Sequence, residues 1–191
     1  DFKVKAHKMT EEEFIQAYEA LVPMRATDNT PGTIDFVMQN IKGETILEVG
    51  CGNGDVSYLC AKKGLKIMAT DLALGNLKEL KNKFNTEELD FETKVANVEN
   101  LPFDDNSFDT SICLHTLEHV RNLNLAITEL KRVTKKRIII IVPKQRYSRY
   151  TADYHLNFFG NPDQLELAMG IKKSSCIVKD FCLCYLGDLN K

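Results

Sequence analysis

The 191-residue chain has no tryptophan, only five prolines and four histidines, and almost no net charge. Its 25 Lys and Arg stand against 27 Asp and Glu, a formal charge of −2. That balance leaves no broad cationic footprint to release counterions from a nucleic acid, and no nucleic-acid partner is expected. No apolar run approaches the roughly 18 to 20 residues needed to cross a bilayer, so no membrane span is expected. The first ten residues, Asp1 to Thr10, are polar and lack the apolar core of a signal peptide. Paired CxxC units are missing as well. Cys51, Cys60, Cys113, Cys176, Cys182 and Cys184 fall mostly in apolar stretches, which reads as buried free thiols in a reducing, cytoplasmic compartment. Cys182 and Cys184 alone would point two thiols along one face of a strand, too few for a zinc site.

What is present is a core. With 43% hydrophobic and 27% charged residues, the composition fits one globular domain. Thr10 and Glu13 form a capping box, and Phe14, Ile15, Tyr18, Leu21 and Val22 follow at helical spacing up to Pro23. A second helix is predicted from Thr30-Pro31 to Gly43. From there the period changes. Strands are predicted over residues 45–49, 66–71, 91–97, 109–115 and 137–142, with helices over 56–64, 74–84 and 122–133 between them. Strands apolar on both faces, alternating with helices, indicate a mostly parallel sheet covered on both sides. The expectation is one α/β domain: a helical N-terminal lead over 1–43, a core over 44–143, and a substrate loop with a sheet-closing tail over 144–191. The tail carries a helix from Asn161-Pro162 to Gly170. After it, Cys176 to Leu186 suffices for one strand or a tight hairpin across Lys179-Asp180, so the C-terminal part is expected to be short or truncated.

Ligands of such sheets bind at the carboxyl ends of the strands. After the first strand stands Glu48-Val49-Gly50-Cys51-Gly52-Asn53-Gly54, whose glycines let the backbone turn sharply and approach a ligand. They also open a helix whose free N–H groups face outward. The spacing is Gly-x-Gly-x-Gly, not the dinucleotide fingerprint Gly-x-Gly-x-x-Gly. Asp71 ends the second strand, where a carboxylate can take both hydroxyls of a ribose; a helix N-cap is the plainer alternative.

Taken with Ala69-Thr70-Asp71, Glu99-Asn100-Leu101-Pro102-Phe103 and Ser107-Phe108-Asp109, the loop resembles class I S-adenosylmethionine-dependent methyltransferases of the small type 11 branch, over about Gly43 to Pro143. The resemblance implies a Rossmann-like three-layer sandwich, S-adenosyl-L-methionine as cofactor and S-adenosyl-L-homocysteine as product. It implies that Gly50, Cys51, Gly52, Asn53 and Gly54 line the methionine and ribose part, with Glu48 beneath them holding the loop or the amino group. Asp71 would bind the ribose and Leu72 would pack on the adenine. Asn97 replaces the family's usual Asp at the adenine amino group, keeping a carbonyl acceptor, and Val98 would offer its backbone N–H. Leu114 and His115 would approach the methyl-bearing end.

His115-Thr116-Leu117-Glu118-His119 spells an inverted zinc-peptidase motif, but that motif needs a long helix and a further ligand, and this segment leaves a strand for a turn. No metal is expected, a divalent ion held by His115, Asp153 and His155 being the minority alternative. His115 is the first candidate general base, beside a purely pocket-shaping role; His155 is the second, with Asp153 next to it. Lys144, Arg146, Arg149, Tyr150 and Tyr154 follow the fifth strand at the ligand edge and are the candidate substrate residues, for a small polar, anionic molecule. The Pro-x-x-Arg to His-x-Asn-Phe-Phe stretch is loosely similar to methyltransferases of surface-glycan clusters, which implies O-methylation of a sugar or nucleotide-linked sugar in polysaccharide biosynthesis. The alternatives are a quinol or lipid precursor as acceptor, and a non-catalytic cofactor-binding subunit. Oligomeric state is not legible.

Overall fold

The computed structural model describes residues 2–24, 29–84, 89, 91–148 and 154–189. Two helices lead in, α1 (Phe2–Lys5) and α2 (Glu11–Glu19). The capping box forms as the sequence requires: Glu13 N donates to Thr10 Oγ1 at 3.2 Å and Thr10 N to Glu13 Oε2 at 2.8 Å. Helix α3 (Pro31–Asn40) starts on a second capping box, Thr30 with Thr33.

The alternation then runs β1 (Thr45–Val49), α4 (Asp55–Lys62), β2 (Lys66–Asp71), α5 (Leu74–Phe84), β3 (Glu92–Val95), β4 (Phe108–Leu114), α6 (Leu123–Val133) and β5 (Thr134–Pro143). Helix α7 (Pro162–Met169) follows, capped by Asn161 and ended by Gly170, and then β6 (Lys173–Lys179) and β7 (Cys182–Asp188). The seven strands lie in the order β3-β2-β1-β4-β5-β7-β6, the first five parallel.

The tail takes the hairpin alternative, with strands that reach beyond Cys176 and Leu186 at both ends. Two full strands form a hairpin that turns at Asp180 and Phe181, both with positive φ. The later strand, β7, enters antiparallel to β5, pairing Ile140 with Tyr185. Two strands fit because β6 begins at Lys173, ahead of Cys176, where polar Ser174 and Ser175 give no apolar signal.

Side chains of β5 divide between two cores. Ile138, Ile140 and Val142 face α6 and α7 together with Leu47, Val49 and Cys113, while Ile139 and Ile141 face the α3 and α4 side with Ile46 and Ile112. All five of these β5 residues are fully buried, as strands covered on both faces must be. Helix α5 packs on β2 through Leu77, Leu80 and Phe84. The six cysteines are free and, Cys176 apart, buried.

At the far end of the sheet, two residues of the basic run Lys135-Lys136-Arg137 are paired with carboxylates. Lys136 Nζ stands 3.0 Å from Asp109. Arg137 holds Asp188 in a fork, Nε at 2.7 Å and Nη2 at 3.1 Å.

Candidate active site

Helices α4 and α5 cover one face and α6 the other, so the crossover changes sides between β1 and β4, and a cleft opens at their carboxyl ends. The loop after β1 fills it. Gly50, Gly52 and Gly54 all have positive φ (68°, 51° and 72°). A Cβ on Gly50 would stand 2.1 Å from Thr116 Oγ1 of the loop after β4, whereas a Cβ on Gly52 would meet nothing within 4 Å. The loop is thus packed on its inner side and opens on space at Gly52. Cys51 is buried, its N–H donating to Thr70 O at 2.9 Å. Asn53 turns away, its Nδ2 3.0 Å from Asp55 Oδ2.

Asp71, 3% exposed, holds this loop from β2. Its Oδ2 accepts from Gly52 N at 2.9 Å and its Oδ1 from Ala73 N at 2.9 Å. Asp71 thus pins the turn before α5, near the cap reading of it, and also holds the glycine loop. A carboxylate accepts about four hydrogen bonds, enough for these amides and a diol. Glu48, below the loop, is buried and accepts from Ser57 Oγ of α4. Burial pushes its carboxyl up to about 7; the Ser57 bond opposes this, and Asp55 and Asp71 add to it.

Other positions are placed differently from one another. Leu72 packs under the N-terminal helices with Phe14 and Tyr18. Asn97 Oδ1 accepts from Glu99 N at 3.0 Å and its Nδ2 donates to Glu11 Oε1 at 3.2 Å, so it ties α2 to the end of β3. The Val98 side chain lies in the core. Leu114 is buried, and His115 follows it with φ +48°, its N–H donating to Ile141 O at 2.9 Å.

His115 brings Nδ1 to 3.5 Å from Oε1 of buried Glu118. Burial lowers its pKa, but contacts with Cys182 and Glu118 outweigh this and push it up to about 10. A histidine in that state keeps its proton at neutral pH, which runs against its expected use as the base.

After β5 the chain folds back onto the β4 turn. Leu156 N and Asn157 N donate to Glu118 O at 2.6 and 2.9 Å, and Asn157 Nδ2 to Leu117 O and Val120 O at 3.0 and 2.7 Å. This docking sets His155 edge-to-face against His119, ring centres 4.8 Å apart. His155 Nδ1 is bonded to Gln145 Oε1. Gln145 also lines a pocket of about 670 Å³ with Lys144, Arg146, Tyr147 and Phe158, in which no described lining residue is acidic. Tyr154 leaves that pocket and sets its ring edge-on to Phe2 at 4.8 Å. Arg149, Tyr150 and Asp153 lie outside the described residues.

Sequence reasoning did not anticipate the roof. Helices α1 and α2 lie across the strand ends: Lys3 Nζ donates to Ser148 O at 3.0 Å, Arg121 Nη1 to Met9 O at 2.9 Å and Gly75 N to Glu19 Oε2 at 3.2 Å. Phe2, Phe14 and Tyr18 form an aromatic cluster there, with Tyr18 5.9 Å from His119. The periodicity of α2 signals a buried face but not what that face covers.

The sequence profile of a family described as a methyltransferase domain matches residues 47–142, half of the chain. The ubiquinone biosynthesis O-methyltransferase of Coxiella burnetii is 32% identical over 92 residues, 47% of this chain and 39% of that protein. The demethylmenaquinone methyltransferase of Renibacterium salmoninarum is 37% identical over 95 residues, 50% of this chain and 38% of that protein. The matched stretch thus spans less than half the length of these relatives. Among solved structures, a SAM-dependent methyltransferase from Aquifex aeolicus superposes with a TM-score of 0.67 at 17% identity, over 95% of this chain and all of that one, a likeness of fold.

Proposed function

The chain belongs to the type 11 family of class I S-adenosylmethionine-dependent methyltransferases, and we propose that it transfers a methyl group to an oxygen of a small, polar, anionic acceptor, a sugar or nucleotide-linked sugar being favoured. One observation carries the cofactor half of this reading: the Asp71 carboxylate, buried and bonded to Gly52 N–H, stands beside the one loop glycine that faces open space. In that cradle Asp71 holds the ribose hydroxyls, and the glycine loop admits the methionine end without a Cβ in its way. Glu48 supports the loop through Ser57. The cofactor, when bound, supplies a methyl carbon on a sulfonium, a donor already activated for in-line displacement.

The acceptor half rests on the pocket that Lys144 and Arg146 line with no acidic residue among the described lining, and with Tyr147 and Phe158 as its aromatic wall. Two cations there offset a phosphate or carboxylate, and the aromatic pair packs on the rest of the molecule. Positioning contributes most. An acceptor oxygen gives a lone pair to the methyl carbon as the C–S bond breaks toward sulfur. Its proton passes to solvent water, since His115 already holds one of its own. A quinol precursor is a second reading, favoured by the two relatives named for quinone biosynthesis.

Calorimetry with S-adenosylmethionine tests the first half: wild type binds, and Asp71→Ala loses most of the affinity. Unchanged binding in that variant would remove the cofactor assignment. A panel of nucleotide-linked sugars, sugar phosphates and quinols, read by product mass, tests the second. Turnover with quinols alone would replace the anionic acceptor, and cofactor binding with no turnover on any compound would favour a non-catalytic subunit.

A further inference from the structure

Glu118 is 1% exposed, and among the described residues its carboxylate has only the long contact from His115 Nδ1 to Oε1, with no partner at normal hydrogen-bond distance. A buried carboxylate without hydrogen bonds costs several kcal/mol of desolvation, so its surroundings call for a cation. His115 answers only from 3.5 Å, on one edge. His119 and His155, set edge-to-face, stand beside it as well. One donor atom each from Glu118, His119 and His155 lies within 4.8 Å of the others. Metal–ligand bonds of about 2.0–2.2 Å put the donors of one ion at most roughly 4.4 Å apart, so small side-chain rotations close the set.

From this juxtaposition we infer that Glu118, His119 and His155 form a site for one divalent first-row cation. The outer contacts are those of metal-ligating histidines. His119 Nδ1 is held 3.3 Å from the Tyr154 carbonyl and His155 Nδ1 by the Gln145 side-chain oxygen. An oxygen acceptor at Nδ1 fixes the proton there and leaves Nε2 as the basic nitrogen. Two imidazoles and one carboxylate suit Mn, Fe, Co or Zn better than Mg or Ca, which prefer all-oxygen sets. The site is also assembled for the purpose by the chain's return. Leu156 and Asn157 dock on the Glu118 carbonyl, and that places His155, otherwise 36 residues away, against the β4 turn. The inverted zinc-peptidase spelling contributes Glu118 and His119 to it, but through a turn and with a third ligand from after β5. Such an ion lies between the end of β4 and the pocket that Gln145 lines, where it can ligate an acceptor oxygen and lower its pKa. That role rests on the methyl-transfer reading; the binding itself does not.

The test uses untagged, chelator-stripped full chain titrated with Co²⁺ and followed by visible absorption and melting temperature. One equivalent per chain is expected, with d–d bands of nitrogen and oxygen ligation and a raised melting temperature. Glu118→Gln and His155→Ala should abolish both. Gln145→Ala should weaken binding by about 10–100-fold, the usual effect of an outer-shell partner. His7→Ala, at an exposed histidine, should change nothing. A thiolate-to-cobalt charge-transfer band, no saturable binding, or full binding in Glu118→Gln that still binds S-adenosylmethionine would overturn the site. Asp71→Ala separates the two readings: it should lose the cofactor and keep cobalt. Cobalt binding by a wild type that binds no cofactor would sink the methyl-transfer reading alone.

Discussion

Glu48 carries a proton at a cost that depends on pH. Its folded pKa, about 7, lies above the 4.5 of a free carboxyl, so the folded state favours the neutral acid. Ionising it therefore destabilises the fold progressively as pH rises from 4.5 to about 7, by at most about 3 kcal/mol. Glu48→Gln removes the penalty. Its melting temperature relative to wild type should rise between pH 5 and pH 8; an equal difference at both would mean that the group stays ionised. The glycine loop offers a second contrast. Gly50→Ala and Gly52→Ala both force a left-handed alanine, worth about 1–2 kcal/mol. Gly50→Ala also drives a methyl into Thr116 Oγ1, whose bonds to Val49 O and Leu114 O, 3.3 and 3.0 Å long, oppose its moving. Urea unfolding should rank Gly50→Ala as the less stable. Calorimetry should find the cofactor weakened in Gly52→Ala, where the added methyl enters open space.

At the scale of elements, the helical lead is held by its own aromatic cluster, apart from the two sheet cores. Phe14→Ala should speed amide exchange in α1 and α2 and lower cofactor affinity, while β1, β4 and β5 keep their protection. Acceleration across the sheet would show that lead and sheet open as one unit. Most elements were legible because each carries its own punctuation: the bounds of β2 and α5 follow directly from Gly64, Asp71 and the run to Phe84. The start of β6 at Lys173 was not, since Ser174 and Ser175 precede the apolar part of that edge strand. In the site, Asp71 and the loop glycines were legible, being local signals at fixed spacing. The roof over them, the Glu118 environment and the protonation of His115 were not, because each depends on partners 30 or more residues away in sequence.

The whole molecule is clasped at the end of the sheet opposite the site. Asp188 takes Arg137 in a fork and Lys42 at 3.0 Å, and these cations hold its carboxyl down at about 2. A depressed carboxylate stabilises the fold above its unfolded pKa of 3.8 and loses that contribution as pH falls toward 2. Acid titration of wild type should therefore show a stability loss across that window. Asp188→Asn should be less stable at neutral pH and nearly flat there; a parallel acid limb would assign the loss elsewhere.

β7 pairs with β5 on one side and β6 on the other, so a strand made after both of its neighbours occupies an interior position. During synthesis the parallel half of the sheet, through β5, is available long before its neighbour is. A nascent chain paused anywhere before residue 182 exposes the β5 backbone edge, with Ile138 to Val142 along it, to whatever strand arrives first. For this topology, the interval between translating β5 and releasing β7 is the period in which the protein most needs a chaperone.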